Sequence, residues 1–354
     1  MNHPIVLMHP YVPEAAIAAV SETLRSRWIG QGPRVEEFER KFSSHMGGRP
    51  AVAVGSCTDA LHLAYILAGI RPGDEVIAPL FTCTATNIPL LWMGAKIRFA
   101  DVAAGSLNVD CREIAKLVTA RTKAIVVVHY GGAVVDVRPL MALGLPVIED
   151  AAQALGAGGL GQTTFSCFSF QAVKHVTTGD GGMLLLSKEK LAEGRRRRWF
   201  GIDREAKLAG IWANDITEVG YKYQMTDIAA AMGLAGLESL EFQMRYRRCL
   251  LEQYCVALSG IPGIRPIDAD FKGAAWLMTV AVDNREGLKR KLAEHGIESD
   301  QTHYRNDRYS VFAASRGDFP NMDAMESKYL VLPLHMHMTP RDVGRVCDVI
   351  RLGW

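Results

Sequence analysis

Between residue 50 and about residue 190, short apolar, β-branched runs alternate with segments whose apolar positions recur every three or four residues. AVAV (51–54), EVIAP (75–79), KIRFADV (96–102), TKAIVVVHY (122–130), PVIED (146–150), FSCFSF (165–170) and GGMLLLS (181–187) predict strands. Helical segments at 58–69, 84–93, 111–118 and 137–143 fall between most of them. Strands apolar on both faces, separated by helices, predict an α/β fold with a mostly parallel central sheet covered by helices. Ligands of such sheets sit beyond the carboxyl ends of the strands. After Leu191 come a charged helical stretch, an irregular segment at 200–220 and a long helix from about Thr226 to Leu258, ending before the turn signal GIPG (260–263). A strand at 275–282, a helix at 285–295, a strand at 328–332 and a closing helix from Pro340 predict a small C-terminal α+β domain. The expected division is a large α/β domain with an N-terminal segment over 1–225, then the long connecting helix and small domain over 226–354. No internal repeat or low-complexity tract interrupts the chain.

Composition narrows the function. The 354 residues are 49% hydrophobic and 22% charged, with a net charge of +2, which suits a soluble globular protein and gives no reason to expect nucleic acid as a partner. The basic run Arg195 to Arg198 spreads around its predicted helix at 100° per residue, so it reads as a mostly solvated face with one arginine turned inward. Seven cysteines, at 57, 83, 111, 167, 249, 255 and 347, form no CxxC pair, which argues against a disulfide scaffold or a structural metal and for a reducing cytoplasm. No basic region leads into an apolar one at the N-terminus, and no stretch approaches the roughly 20 apolar residues of a bilayer span.

Three segments carry candidate chemistry. PVIEDAAQALGA puts Asp150 at the end of a buried strand, where a carboxylate either caps the following helix or faces a ligand at the sheet edge. FSFQAVKHVTTGDGG puts Lys174 between an apolar run and a glycine-rich turn, as a solvated loop lysine, a nucleophile or a ligand clamp. GSCTDAL comes after the first strand and offers amides and hydroxyls to an anion at a helix N-terminus, or an ordinary cap. Taken together, an anion cradle, a strand-end carboxylate and a lysine after the next strand match the requirements of pyridoxal phosphate. Its phosphate needs amide donors, its ring nitrogen a carboxylate and its aldehyde a lysine for a Schiff base.

With RSRWIGQGPRVEEFERKF (25–42), GSCTDALHLA, EDAAQALGA, FSFQAVKHVTTGDGG, GYKYQMTDIAAAMGLAGLESLE and LPLH (332–335), the chain resembles the sugar aminotransferases of the DegT/DnrJ/EryC1/StrS family over nearly its whole length. The resemblance implies a fold type I, aspartate aminotransferase-like transferase dependent on pyridoxal 5′-phosphate. It implies that Lys174 forms the Schiff base and shuttles protons, that Asp150 pairs with the pyridine nitrogen and that Gln153 contacts the phenolic oxygen. Thr58, the amide of Cys57, and Ser169 would hold the phosphate. A homodimer with shared active sites is implied, the GYKYQM loop reaching into the partner's site.

Two departures stand out. Family members usually carry a ring-stacking aromatic where PLFTCTATN has Cys83, and many read GYNYRM where this chain has Lys222 in place of the asparagine, either a cation serving the same phosphate or a surface lysine. His175, directly after the lysine, reads as a supporting residue. His303, Tyr304, Arg305 and His335 are placed to touch the substrate or a dimer partner, but histidines in such places are more often ordinary loop residues, and these are read so. The expected activity is transfer of an amino group from an amino acid, glutamate in the first instance, to a nucleotide-linked keto-sugar in amino sugar biosynthesis. The alternatives are a sugar dehydratase, or a non-catalytic regulator that binds the same cofactor.

Overall fold

In the computed structural model, which describes residues 3–213 and 215–354, two helices come first, α1 (Glu14–Arg25) and α2 (Pro33–His45). The alternating region begins with β1 (Ala51–Val54), α3 (Cys57–Leu67), β2 (Glu75–Pro79), β3 (Phe81–Thr82), α4 (Thr84–Trp92) and β4 (Lys96–Ala100). It continues with α5 (Cys111–Lys116), β5 (Thr122–Val128), α6 (Arg138–Met141), β6 (Val147–Asp150), β7 (Phe165–Ser169) and β8 (Gly182–Leu185). Helices α7 (Lys188–Arg198) and α8 (Arg204–Leu208) lead into α9 (Asp227–Leu258). The chain closes with β9 (Ile264–Pro266), β10 (Met278–Val282), α10 (Arg285–Glu294), β11 (Tyr304–Arg305), α11 (Pro320–Glu326), β12 (Tyr329–Leu332) and α12 (Pro340–Arg351).

The central sheet has the order β1-β8-β7-β6-β5-β2-β4. Strands β7, β6, β5, β2 and β4 pair in parallel, and β8 alone is antiparallel to both of its neighbours. The mostly parallel sheet is thus as expected. The reversal at β8 has a local cause, because a parallel neighbour needs a helical crossover and residues 170–181 form none. They fold back on themselves, with the Phe170 amide on the Gly181 carbonyl at 2.8 Å and the Thr178 amide on the Phe170 carbonyl at 2.9 Å. Lys174 lies in this turn, over the carboxyl edge of the sheet.

A second sheet, β12-β10-β9, is antiparallel and has its own core, in which Val280 and Leu330 pack with Leu250 and Tyr254 of α9, Leu288 of α10 and Val346 and Ile350 of α12. The short pairing of β11 with β3 ties this part back to the central sheet, Tyr304 opposite Thr82 and Arg305 opposite Phe81. That tie carries residues 302–306 to the edge where Lys174 lies.

Helices α1 and α2 are additions to the elements expected from the pattern. Gly32, at the N-cap of α2, has no side chain to cap with. Asp227 at the start of α9 replaces it, accepting the amides of Gly32 at 2.8 Å, Val35 at 3.0 Å and Arg34 at 3.2 Å. Two expectations are corrected. The irregular segment 200–220 contains α8, capped by Asp203 through the Ala206 amide at 2.9 Å. The run Arg195 to Arg198 turns one arginine inward, as expected, but its other three are half-buried and ion-paired rather than a solvated face. Arg198 is 4% exposed and bonds Glu39 of α2 and the Ala53 carbonyl, while the other three reach Glu205, Glu218 and Glu193. Among the described residues, no helix is long and apolar enough to cross a membrane.

Candidate active site

The carboxyl edge of the central sheet gathers the three segments singled out by the sequence. Asp150 ends β6, one register step from Cys167 on β7 and from Val128 on β5. It is 4% exposed. One oxygen accepts the Thr86 hydroxyl at 2.7 Å and the other the Ala152 amide at 3.0 Å. Burial pushes its carboxyl up, and Thr86, Ala152, Lys174 and His129 pull it back. Thr82 and Thr86 stand 2.8 Å apart through their hydroxyls, so a Thr82 to Thr86 to Asp150 chain orients the carboxylate.

Lys174 points into the same space. Its amine is brought down to about 8 by burial, opposed by Asp150, Cys83 and Cys57. Nζ lies 3.7 Å from the centroid of the Trp276 ring. Directly after it, His175 is buried and its Nε2 donates to the Ala274 carbonyl at 2.8 Å, the supporting role read from the sequence.

The cradle forms where β1 runs into α3. Ser56 caps the helix through the Asp59 amide at 3.1 Å, and Cys57 and Thr58 open its first turn. Register sets Gly182 opposite both Val54 and Ser169, so Ser169 stands across β8 from the end of β1. A side chain at Gly182 would collide with the Ser56 carbonyl and the Cys57 amide, and only glycine lets the strands close here. Asp59, in this first turn, has its carboxyl pushed up to about 6 by burial.

Gln153 is buried beside these groups, its oxygen accepting the Gly131 amide at 2.7 Å and its amide nitrogen 3.2 Å from Nε2 of His303. Gly131 and Gly132 have φ of 70° and 87°, and a Cβ at Gly132 would sit 2.9 Å from the Gln153 carbonyl. Cys83, at the N-cap of α4, is half-buried and within the electrostatic reach of Asp150 and Lys174. The aromatic that does face Lys174 is Trp276, from the segment ahead of β10.

Lys222 is set apart from this cluster. The backbone of its segment runs beside β1, with Gly55 donating to the Tyr223 carbonyl at 2.8 Å. Tyr221 and Tyr223 stack on one side at 4.9 Å, so alternation turns Lys222 to the other side, where it is exposed and bonds Gln224 at 2.6 Å. Tyr304 stacks against Arg308, Arg305 is tied to Asp307 and Glu326, and His335 holds the Val6 carbonyl, all structural positions. His303 is a correction. It belongs to the site, its imidazole held down to about 3 by burial and the nearby Lys174. Thr86 and Trp276 were not singled out by sequence either. The threonine lies within PLFTCTATN, and no local pattern marks the tryptophan.

Comparison with known proteins identifies the family. The sequence profile of the DegT/DnrJ/EryC1/StrS aminotransferase family matches residues 10–351. A relative in Shewanella sediminis, UDP-4-amino-4-deoxy-L-arabinose–oxoglutarate aminotransferase, is 34% identical over 99% of this chain and 98% of its own length. The sugar aminotransferase CalS13 of Micromonospora echinospora superposes with a TM-score of 0.92 at 33% identity, covering 98% of this chain and 99% of that one. Spr1654 of Streptococcus pneumoniae, solved in PLP and PMP forms, superposes with a TM-score of 0.91 at 26–27% identity, covering 99% of this chain and 98% of that one. By the match over nearly its whole length, the chain belongs to the DegT/DnrJ/EryC1/StrS aminotransferase family.

Proposed function

We propose that this chain is a pyridoxal phosphate-dependent aminotransferase that passes an amino group from an amino acid, L-glutamate, to a nucleotide-linked keto-sugar. One observation carries the reading: a half-buried lysine whose amine is brought down to about 8 shares the end of the sheet with a buried strand-end carboxylate and an amide-lined helix start. The donor set suits the cofactor. The first amides of α3 at Cys57 and Thr58, with the hydroxyls of Thr58 and Ser169, would hold the phosphate, and Asp150 the ring nitrogen. Gln153 keeps one amide proton beyond its bond to His303, enough for the phenolic oxygen. The PLP and PMP forms of Spr1654 and the sugar nucleotide and oxoglutarate named for the Shewanella relative support cofactor, acceptor class and donor.

When bound, the cofactor supplies an electron sink for the pair left behind as the donor's Cα–H bond breaks. Nζ of Lys174 takes that proton, for which a pKa of about 8 is well placed, and returns one to the sugar carbon that becomes the amine-bearing centre. Asp150, oriented by Thr86, holds a proton on the ring nitrogen. Trp276 and His303 reach the site from the C-terminal part, so the division at 1–225 and 226–354 belongs to the same reading, supported by the separate core of the second sheet. Two further parts of it are a homodimer in which Lys222 faces the partner's phosphate and a cytoplasmic setting.

Borohydride reduction of the loaded enzyme followed by peptide mapping is the test. The pyridoxyl group is expected on Lys174, and its appearance on another lysine overturns the assignment. A visible absorption band that bleaches with glutamate supports transfer, and a band indifferent to every amino acid supports the regulator instead.

A further inference from the structure

Lys174 is half-buried, and its amine has no conventional partner. Among the described residues, Nζ makes no hydrogen bond or ion pair, and it touches instead a ring face, that of Trp276 at 3.7 Å. The other cation and ring pairs stand 4.7 to 5.9 Å apart.

The ring is fixed with respect to the lysine. Its Nε1 donates to the carbonyl of Val173, the residue before Lys174, at 3.2 Å, and its backbone amide donates to Gly131 at 3.0 Å. Arg247 of α9, buried, donates to the carbonyls of Ala275 at 2.9 Å, Trp276 at 2.8 Å and Leu334 at 2.8 Å. His175 takes the Ala274 carbonyl and Arg248 that of Gly273 at 2.8 Å. Ala275 is held at φ 48°, a left-handed conformation that alanine adopts only when its surroundings impose it. The His303 ring lies nearly parallel to the indole, 18° off at 6.4 Å. A segment clamped at successive carbonyls is built to present one side chain in one place.

We propose that Trp276 is the resting platform of Lys174, a positioning residue whose ring face holds the ammonium whenever the amine is free of covalent linkage. The inference rests on the reading of Lys174 as the covalent and proton-carrying residue. An indole face attracts a cation through its quadrupole, most strongly where water is excluded. It therefore opposes burial, which favours the neutral amine, and sets how readily Lys174 takes and gives up its proton. The other groups facing the amine are Asp150 from β6, Cys57 from α3, Cys83 ahead of α4, His175 from its own turn and His303. Both histidines are held neutral by burial, so Trp276 and Asp150 are the groups that favour the ammonium most directly.

The test uses the apoenzyme. The rate at which acetic anhydride modifies Lys174 is followed against pH by peptide mass spectrometry, with exposed Lys116 as the internal reference. Replacing Trp276 by leucine is expected to lower the apparent pKa of Lys174 by roughly one unit, and replacing it by phenylalanine, a weaker ring, by less. An unchanged or raised value in Trp276→Leu overturns the proposal. If that variant fails to fold, Trp276→Phe decides alone, a downward shift supporting the platform and an unchanged or raised value overturning it. Borohydride mapping of the loaded enzyme fails separately: a pyridoxyl group on another lysine, beside the expected titration of Lys174, removes the cofactor reading and leaves the platform standing.

Discussion

The Gln153 amide nitrogen lies 3.2 Å from Nε2 of His303, while the Gln153 oxygen accepts the Gly131 amide at 2.7 Å. A backbone N–H only donates, so the Gln153 oxygen must face it and the NH2 group must face the histidine. His303 therefore accepts at Nε2, carries its proton on Nδ1 and is neutral, in keeping with an imidazole held down to about 3. The Gly131 amide, Gln153 and His303 form one ordered wall of the site.

That wall predicts a protonation change on demand. In histidine-labelled enzyme, the His303 ring signals, assigned by their loss in His303→Gln, are expected not to titrate between pH 5 and 8. Gln153→Glu presents acceptors on both oxygens and is expected to bring the His303 titration into that range, because Nε2 must then carry a proton to bond. A titration in the wild type would contradict the donor assignment.

Thr86 should matter more to turnover than to folding. Thr86→Val leaves Asp150 with the Ala152 amide alone and strands the Thr82 hydroxyl, so a stability loss of about 1–2 kcal/mol in urea titrations and roughly tenfold slower turnover are expected. Thr86→Ser should restore both. Asp150→Asn removes the carboxylate that would keep the ring nitrogen protonated and is expected to slow turnover at least about a hundredfold, two pKa units of lost stabilisation. Its apoenzyme should be no less stable, since a buried carboxyl already pushed upward contributes little to folding.

Stability should fall as the solution is acidified below pH 6.5. His62 and His335 are held down to about 4 and His303 to about 3, so over that window the unfolded chain binds more protons than the folded one. Unfolding free energy then rises with pH, and the stability these rings contribute is lost as pH falls from 6.5 toward 4 and 3. Asp59 acts in the opposite sense between about 6 and its ordinary 3.8. Tm measured from pH 7 to pH 4 should decline, and His335→Gln should flatten the decline. A steeper one would place the neutral histidine elsewhere.

Arg247 is expected to carry a large structural effect. It is buried, its guanidinium is lowered to about 10 by that burial, and it satisfies three carbonyls of two segments. Arg247→Met strands those carbonyls and should cost about 3 kcal/mol in the urea midpoint, while Arg247→Lys, a point donor without the fork, should recover only part. Loss of less than about 1 kcal/mol would mean that water replaces the clamp.

The shared-site reading has its own check. Lys174→Ala and Lys222→Ala chains, each inactive alone, should regain activity after subunit exchange, because one site of the mixed dimer keeps both lysines. Full activity of Lys222→Ala, or no recovery after confirmed exchange, makes Lys222 a surface residue bonded to Gln224.

Most of the frame and half of the site are legible in the sequence alone, because the physics that sets them is local. A strand buried on both faces needs an unbroken apolar run, so AVAV, EVIAP and PVIED coincide with β1, β2 and the stretch ending at Asp150 within a residue. A glycine-rich turn after an apolar strand marks Lys174 in the same way. The antiparallel direction of β8 was not legible, since an apolar run reads alike both ways and only the backbone bonds of 170–181 reverse it. Thr86 meets Asp150 across 64 residues and His303 meets Gln153 across 150, and no local pattern carries such a pairing. The helix period predicts that one arginine of 195–198 turns inward, but only the packing of α2 selects Arg198 and brings Glu39 against it. Trp276 acquires its role the same way: its segment is apolar by composition, and only the packing of α9, through Arg247, turns the ring onto the lysine.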